Sequence, residues 1–402
     1  MTVLAAATNG FITPAVLAEN STAPLAASNC EPDGVQASGA IYRICLPPAG
    51  SWNGDLVVYA HGYVASNQPV AIPEDQLTLP DGTSIPEIVN LLGFAFATTS
   101  YRTNGLAIRE GLADLVDLVG IFTATHGAPS HIYLAGISEG GLITALAVEQ
   151  YPNVFDGGLA ICGPIGDFQE QVNYFGHFRV VFDYFFPGLM PGSPIDIPQA
   201  LIDNWDSHYT TVIKPALLNP ANAGAVAQLL AVTGAAFDPA DPATSETSIQ
   251  GLLWYNVFAT NDARAKLGGQ PFDNQGHIYI GSNDDAQLNL SVQRFSASSV
   301  ALAEIEAHYQ ATGQLTAPLV TLHTTLDPIV PYWHETIYRG KVIVNDNLAR
   351  HDNIVVARYG HCSFTSGDVL GAFVLLVDRV MNPPPYSPVF RRFLPLVLSK
   401  VN

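Results

Sequence analysis

His131-Ile132-Tyr133-Leu134-Ala135-Gly136-Ile137-Ser138-Glu139-Gly140-Gly141-Leu142-Ile143-Thr144-Ala145-Leu146-Ala147 is the stretch on which the reading of this chain turns. Residues 131–135 read as a short strand, and residues 138–150 carry on as an apolar helix. Between them lies Gly-x-Ser-x-Gly. A serine hydroxyl is a poor nucleophile at neutral pH and needs a base and a geometry that exposes its oxygen. A sharp strand-to-helix turn supplies that geometry, because small flanking residues let strand and helix approach while the serine projects above the sheet. In a chain with 34 glycines the bare motif is common. Set between a strand and a helix, it points to Ser138 as a nucleophile. The alternative is an ordinary strand–helix turn.

Outward from this turn, short apolar runs alternate with helical periodicity from residue 41 to 163. Residues 41–45 and 55–60 read as strands, separated by the turn formers Pro47–Gly50 and Trp52–Gly54. A short helix over 86–92 and a strand over 93–100 follow. Leu112, Leu115, Leu118, Val119 and Phe122 then fall at helical spacing within 108–125. After another strand over 157–162 the rhythm stops near 164. It returns near 317 with a strand over 317–323, a helix after Pro331, a strand over 353–359 and a closing helix over 367–381. Strands alternating with helices predict an α/β fold, a mostly parallel sheet covered on both faces. The predicted layout is a leader segment over 1–40, a catalytic domain over 41–163 and 317–402, and a largely helical cap insertion over 164–316. Within the cap, 221–234 and 297–312 read as helices. The proline-rich and apolar segments after residue 382 are expected to pack on the domain surface. There is no internal repeat and no long low-complexity tract.

Composition narrows the partners. The chain has 402 residues, 48% of them apolar, with 35 acids against 16 bases for a net charge of −19. That content supports a large core, and the acidic surplus repels nucleic acid and anionic lipid on average. Its plain reading is solubility; an uncharged substrate fits either way. No run approaches the roughly 20 apolar residues a membrane span needs. Residues 1–29 lack the basic n-region of a signal peptide, the first positive side chain being Arg43. Their Ala, Thr, Ser, Asn and Pro content reads as the mature leader of an exported protein. Asn20-Ser-Thr and Asn289-Leu-Ser are glycosylation sequons, a weak signal. The four cysteines show neither Cys-x-x-Cys nor a Cys/His metal spacing. Cys30 and Cys45 bracket a turn-rich segment that a bridge would pin, whereas Cys162 and Cys362 each follow a segment ending near Ser138. Disulfides in an oxidising compartment are one reading; free buried thiols in a cytosolic enzyme are the other.

The chemistry needs partners for Ser138. An oxyanion needs two backbone donors. The turn itself offers the amide of Glu139, and the loop after the strand at 55–59, Ala60-His61-Gly62-Tyr63, offers the amide of Tyr63. His61 reads as a loop holder. The acid and base are expected on loops after later strands, in the order serine, acid, histidine. Asp327 follows the strand at 317–323, and His361 follows Gly360 at the end of the strand at 353–359. Of the 11 histidines, His323 and His334 fall near this site, and His351 at the far end of the sheet.

Taken together, His61-Gly62, Gly136-Ile137-Ser138-Glu139-Gly140, Leu326-Asp327-Pro328-Ile329-Val330-Pro331 and Gly360-His361 resemble the α/β-hydrolase superfamily. The resemblance covers residues 41–163 and 317–381. It implies a catalytic triad of Ser138, Asp327 and His361, an oxyanion hole from Tyr63 and Glu139, and acyl transfer needing neither metal nor organic cofactor. Glu139 departs from the small or aromatic residue usual after the nucleophile, which suggests an added role for its side chain. Cys362 beside His361 is similar to secreted feruloyl-esterase-like and tannase-like enzymes. Those carry a cysteine directly before the nucleophile, where this chain has Ile137. If Cys362 is bridged, the resemblance makes Cys162 its partner.

Between Tyr174 and Phe186 aromatic residues concentrate, and Phe178, Phe182 and Tyr184 are candidates for an apolar substrate pocket. The cap's own core is the competing explanation for most of these rings. The expected activity is hydrolysis of a small-molecule or polymeric carboxylic ester with an apolar or aromatic part. A peptidase resembling prolyl-oligopeptidase-type hydrolases is the rival enzyme, although those add a long propeller for which this layout has no room. A non-catalytic binding protein on the same scaffold is the rival outside catalysis.

Overall fold

The computed structural model describes residues 29–79 and 81–383. The Asn20 sequon, most of the predicted leader and the tail after residue 383 lie outside the described residues. Eight strands form one sheet: β1 (Gly34–Val35), β2 (Ile41–Cys45), β3 (Leu56–Ala60), β4 (Ala95–Thr99), β5 (Ile132–Ile137), β6 (Gly157–Ile161), β7 (Leu319–Leu326) and β8 (His351–Tyr359). Their order is β1-β2-β4-β3-β5-β6-β7-β8. β1 and β2 pair antiparallel, as do β2 and β4, and all other neighbours are parallel. This is the strand order of the α/β-hydrolase fold.

Every residue of β3, β4 and β6 is buried, as expected of parallel strands covered on both faces. α2 (Ile108–His126) and α3 (Glu139–Gln150) cover one face. There α2 packs Leu112, Leu115, Leu118, Val119 and Phe122 into the core, the five positions its periodicity marks. α12 (Trp333–Val344) joins this layer through Tyr338 and Val342. α1 (Ile85–Leu91) and α13 (Ser366–Met381) cover the other face with Val89, Phe373 and Leu376. A capping box between Thr365 and Asp368 starts α13, satisfying amides that the first helical turn leaves unpaired.

Between β6 and β7 the chain is helical. It forms α4 (Phe168–Phe185), α5 (Gln199–Asp203), α6 (Trp205–His208), α7 (Lys214–Leu218), α8 (Ala223–Thr233), α9 (Thr244–Lys266), α10 (Asp285–Ser291) and α11 (Ser299–His308). Much of this segment shares a core of its own, with Phe178, Phe182, Trp205, Leu229, Leu252 and Val257 at its centre. α4 starts at Asp167, whose side chain accepts from the Glu170 amide, and α9 ends on Arg264, Lys266 and a left-handed Gly268; neither helix is among those expected from the sequence.

Elsewhere the structure departs from the reading in small ways. β7 runs on to Leu326, so Asp327 follows the strand directly, and β8 begins two residues early at His351. Residues 34–40 belong to the fold and not to a leader: β1 pairs with β2, Ala40 is fully buried, and Gln36 donates to the Asp114 carbonyl at 2.9 Å. The Asn289 amide nitrogen, which glycosylation would have to modify, donates to the carbonyls of Tyr279 at 2.7 Å and Asp285 at 2.8 Å. Those bonds make it a structural residue.

Disulfides join Cys30 to Cys45 and Cys162 to Cys362. Among the described residues, no helix is long and apolar enough to cross a membrane.

Candidate active site

Ser138 sits between β5 and α3 with φ +56° and ψ −118°. A residue with a Cβ is rarely found there, and such conformations cost on the order of 1–3 kcal/mol. The strain is held by neighbours. The Ser138 amide donates to the Ile161 carbonyl at 2.8 Å. Both motif glycines are needed for close approach: a Cβ on Gly140 would lie 2.1 Å from the Ala60 carbonyl oxygen, and one on Gly136 would lie 2.1 Å from that of Gly140. The motif brings β3, β5 and α3 closer together than side chains allow.

The loop after β3 lies against the serine. A Cβ on Gly62 would come within 3.2 Å of the Ser138 Cβ. Its amide donates to Gln76 Oε1 at 2.7 Å, and the Tyr63 hydroxyl donates to the Phe258 carbonyl at 3.0 Å. His61 stacks on Tyr101 with ring centroids 3.9 Å apart. Burial lowers its pKa to about 4, so it is neutral and holds the loop.

His361 Nε2 lies 2.8 Å from Ser138 Oγ, and its Nδ1 lies 2.8 Å from Asp327 Oδ2. Gly360, at φ +111°, turns the chain out of β8, a conformation glycine adopts freely. Thr324 Oγ1 donates to the Gly360 carbonyl at 2.7 Å. Beyond the histidine, Cys362 is bridged to Cys162 at the end of β6. Asp327 is 1% exposed, and its Oδ1 accepts from the amides of Ile329 and Val330 at 2.9 Å each. Burial opposes its ionisation. The charge of His361 and the hydrogen bonds from His323 and His361 outweigh that, holding the carboxyl well below the usual range.

A cavity of about 120 Å³ opens above Ser138 and Glu139. Its walls are mainly apolar: Leu106, Ile108, Phe168, Val172, Phe175, Phe272, Ile329 and Val330. Tyr255 of α9 also lines it, stacks on Phe175 at 5.1 Å, and brings its hydroxyl within hydrogen-bonding reach of Ser138. Glu139 is 7% exposed and accepts from the Ala107 amide at 2.8 Å through Oε1. Burial raises its pKa to about 8, so a neutral carboxylic acid faces the cavity at pH 7.

Phe178, Phe182 and Tyr184 do not line this cavity. Phe178 and Phe182 are fully buried in the core of the helical segment, and Tyr184 is half-buried with its ring against Phe185. The reason is position along the helix. Phe168, Gln171, Val172 and Phe175, in the first half of α4, line the cavity, whereas Phe178 and Phe182 continue the same three- and four-residue spacing one to two turns further on, where the helix has passed beyond the cavity into the helical core. Phe175, Tyr255 and Phe272 were missed, although the aromatic concentration already drew attention to the helix carrying Phe175.

His323 and His334 are both fully buried. His334 Nδ1 accepts from the Gly166 amide at 3.0 Å, tying α12 to the start of the helical segment. His351 lies at the far end of β8 from His361.

The chain has the strand order of the α/β-hydrolase fold, and the solved structures similar to it include hydrolases. It is similar to an esterase from Aspergillus oryzae, with 14% identity over 86% of this chain and 77% of that one, TM-score 0.45. Feruloyl esterase B from the same organism is similar at 13% identity over 87% and 79%, TM-score 0.46. The acylaminoacyl peptidase of Pyrococcus horikoshii aligns at 11% identity over 83% of this chain, TM-score 0.38, but this chain spans only 36% of that enzyme. The sequence matches no protein-family model and no curated protein.

Proposed function

We propose that the protein is a serine hydrolase that cleaves carboxylic esters with an apolar or aromatic part, through an acyl-enzyme on Ser138. The observation that carries this reading is the continuous chain Ser138 Oγ–His361–Asp327, with both links at 2.8 Å, opening on an apolar cavity. His361 removes the Ser138 proton as the oxygen attacks the ester carbonyl. The amides of Glu139 and Tyr63 receive the oxyanion, and His361 returns the proton to the departing alcohol. Water, deprotonated by the same histidine, then frees the acid. Asp327 orients the imidazole and balances its charge in the transition state. No step calls on a metal or organic cofactor.

In the same proposal residues 164–316 form a cap over a catalytic domain made of 41–163 and 317–402. The cap supplies the acyl pocket through Phe168, Val172, Phe175 and Tyr255. Two disulfides fit an oxidising, extracytoplasmic setting.

The test uses p-nitrophenyl esters of graded chain length beside aminoacyl anilides. Esters are expected to be turned over faster than anilides; the reverse order would make the protein a peptidase. Ser138→Ala is expected to lose about 10⁴-fold or more in kcat, together with covalent labelling by a fluorophosphonate. Full activity in that variant would sink the mechanism.

A further inference from the structure

Behind the proposed acid lies a second, wholly buried polar cluster. His323, on β7, is 0% exposed. Its Nδ1 lies 3.1 Å from Glu335 Oε1 on α12, and its Nε2 lies 2.8 Å from the Val330 carbonyl oxygen and 3.5 Å from Asp327 Oδ2. Both ring nitrogens therefore face acceptors. A neutral imidazole has one N–H to donate, so with the carboxyls ionised only the imidazolium satisfies both sides. Glu335 is 2% exposed, and its other oxygen accepts from Thr321 Oγ1 at 2.6 Å and Asn353 Nδ2 at 2.7 Å. The cluster is closed, with each charged atom paired.

We propose that His323 is a permanently charged positioning residue, an imidazolium that fixes Asp327 from behind and offsets its negative charge, with Glu335 as the counter-ion that keeps it protonated. This rests on the reading of Ser138, His361 and Asp327 as the reacting set. The line of hydrogen bonds and ion pairs then runs Ser138–His361–Asp327–His323–Glu335, across three strand ends and one helix, its Asp327–His323 link being an ion pair at 3.5 Å. Asp327 Oδ2 is shared between the two imidazoles, and two backbone amides hold Oδ1. That leaves the carboxylate no rotation.

The electrostatic consequence is distinct from the geometric one. Asp327 and Glu335 together carry two negative charges in the interior, and His323 cancels one of them. Although burial disfavours it, the two carboxylates raise the pKa of His323 to about 10, in keeping with the pairing. The other titratable groups packed around it stay neutral. Burial lowers His334 on α12 and His351 on β8, and raises the Tyr332 hydroxyl. The hydroxyls of Tyr174, Tyr255 and Tyr359, which face Asp327, are likewise raised by burial. Removing the His323 charge makes the site more negative, which favours a proton on His361. The base is then lost at a higher pH than before.

The experiment measures kcat/KM against pH for the intact enzyme, His323→Gln, and His323→Gln combined with Glu335→Gln. In the single variant the acidic limb is expected to move up by about one pH unit, a tenfold loss on that limb, with the alkaline plateau nearly kept. The double variant removes one charge of each sign and is expected to bring the limb most of the way back. A purely structural role predicts that the double variant is worse than the single one, with the limb in place; that result would overturn the proposal. Because deleting a buried cation can itself prevent folding, ring-¹⁵N NMR of the unaltered protein provides a separate reading. A doubly protonated His323 at pH 8, assigned through its contact with Val330, is expected; a neutral ring there refutes the proposal. This signal does not depend on turnover, so it is separable from a failure of Ser138 as nucleophile.

Discussion

Glu139 combines a backbone amide proposed for the oxyanion hole with a side chain that opposes being charged. Its carboxyl keeps a proton in the folded protein up to about pH 8, whereas in the unfolded chain it loses it near 4.3. Across that window the native state binds more protons, so this group's contribution to stability falls as pH rises. Glu139→Gln keeps an oxygen for the Ala107 amide and removes the penalty. We expect it to be more stable than the parent at pH 8, by on the order of 3 kcal/mol, with no gain at pH 4. Calorimetry at the two pH values checks this. Ionisation would also place a negative charge beside the developing oxyanion. The parent's turnover should therefore fall above about pH 8 and that of Glu139→Gln should not. Tyr255 lines the cavity beside Ser138, and its hydroxyl interacts with that serine. Tyr255→Phe keeps the stack on Phe175 and loses only the hydroxyl. If that group aids the chemistry, kcat falls by about tenfold with KM little changed, roughly the effect of one hydrogen bond.

At the scale of the element, α4 decides the shape of the site. Its first half borders the cavity and its second half packs into the helical core. Val172 stands on the cavity face, and Val172→Phe would shorten the space for an acyl chain. Selectivity is expected to move about tenfold towards shorter esters, the size of a one- or two-methylene effect in an apolar pocket; unchanged chain-length preference would remove Val172 from the pocket wall. Much of the sheet was legible because its signals are local. Ser138 has a strand before it and a helix after it, and Gly360-His361 follows directly on β8. The stretch of α4 that meets the cavity was not legible. Seven aromatic rings crowd into 174–186, and which of them line the cavity depends on how α4 meets α9, about 60 residues further on. The pairing of His323 with Glu335 escaped for the same reason, since neither residue type announces an ion pair between a strand and the next helix.

The whole molecule is built around an interruption. Catalytic candidates come from either side of the helical segment: Ser138 before it, Asp327 and His361 after it. Cys162 closes the first part, and its bridge to Cys362 spans 200 residues, fastening β6 to the loop that carries His361. Cys362→Ser is expected to lower the melting temperature and also to lower kcat measured where the variant is fully folded, because the bridge holds the loop that carries His361. An unchanged kcat under those conditions would mean that the bridge serves the fold alone.

That bridge also makes the helical segment part of a closed ring of chain, hung from a single covalent knot beside His361. A protease that cuts anywhere between Cys162 and Cys362 opens the ring without parting the molecule. The nicked protein would migrate as one species until a reductant is added and then separate into two fragments, each holding part of the reacting set.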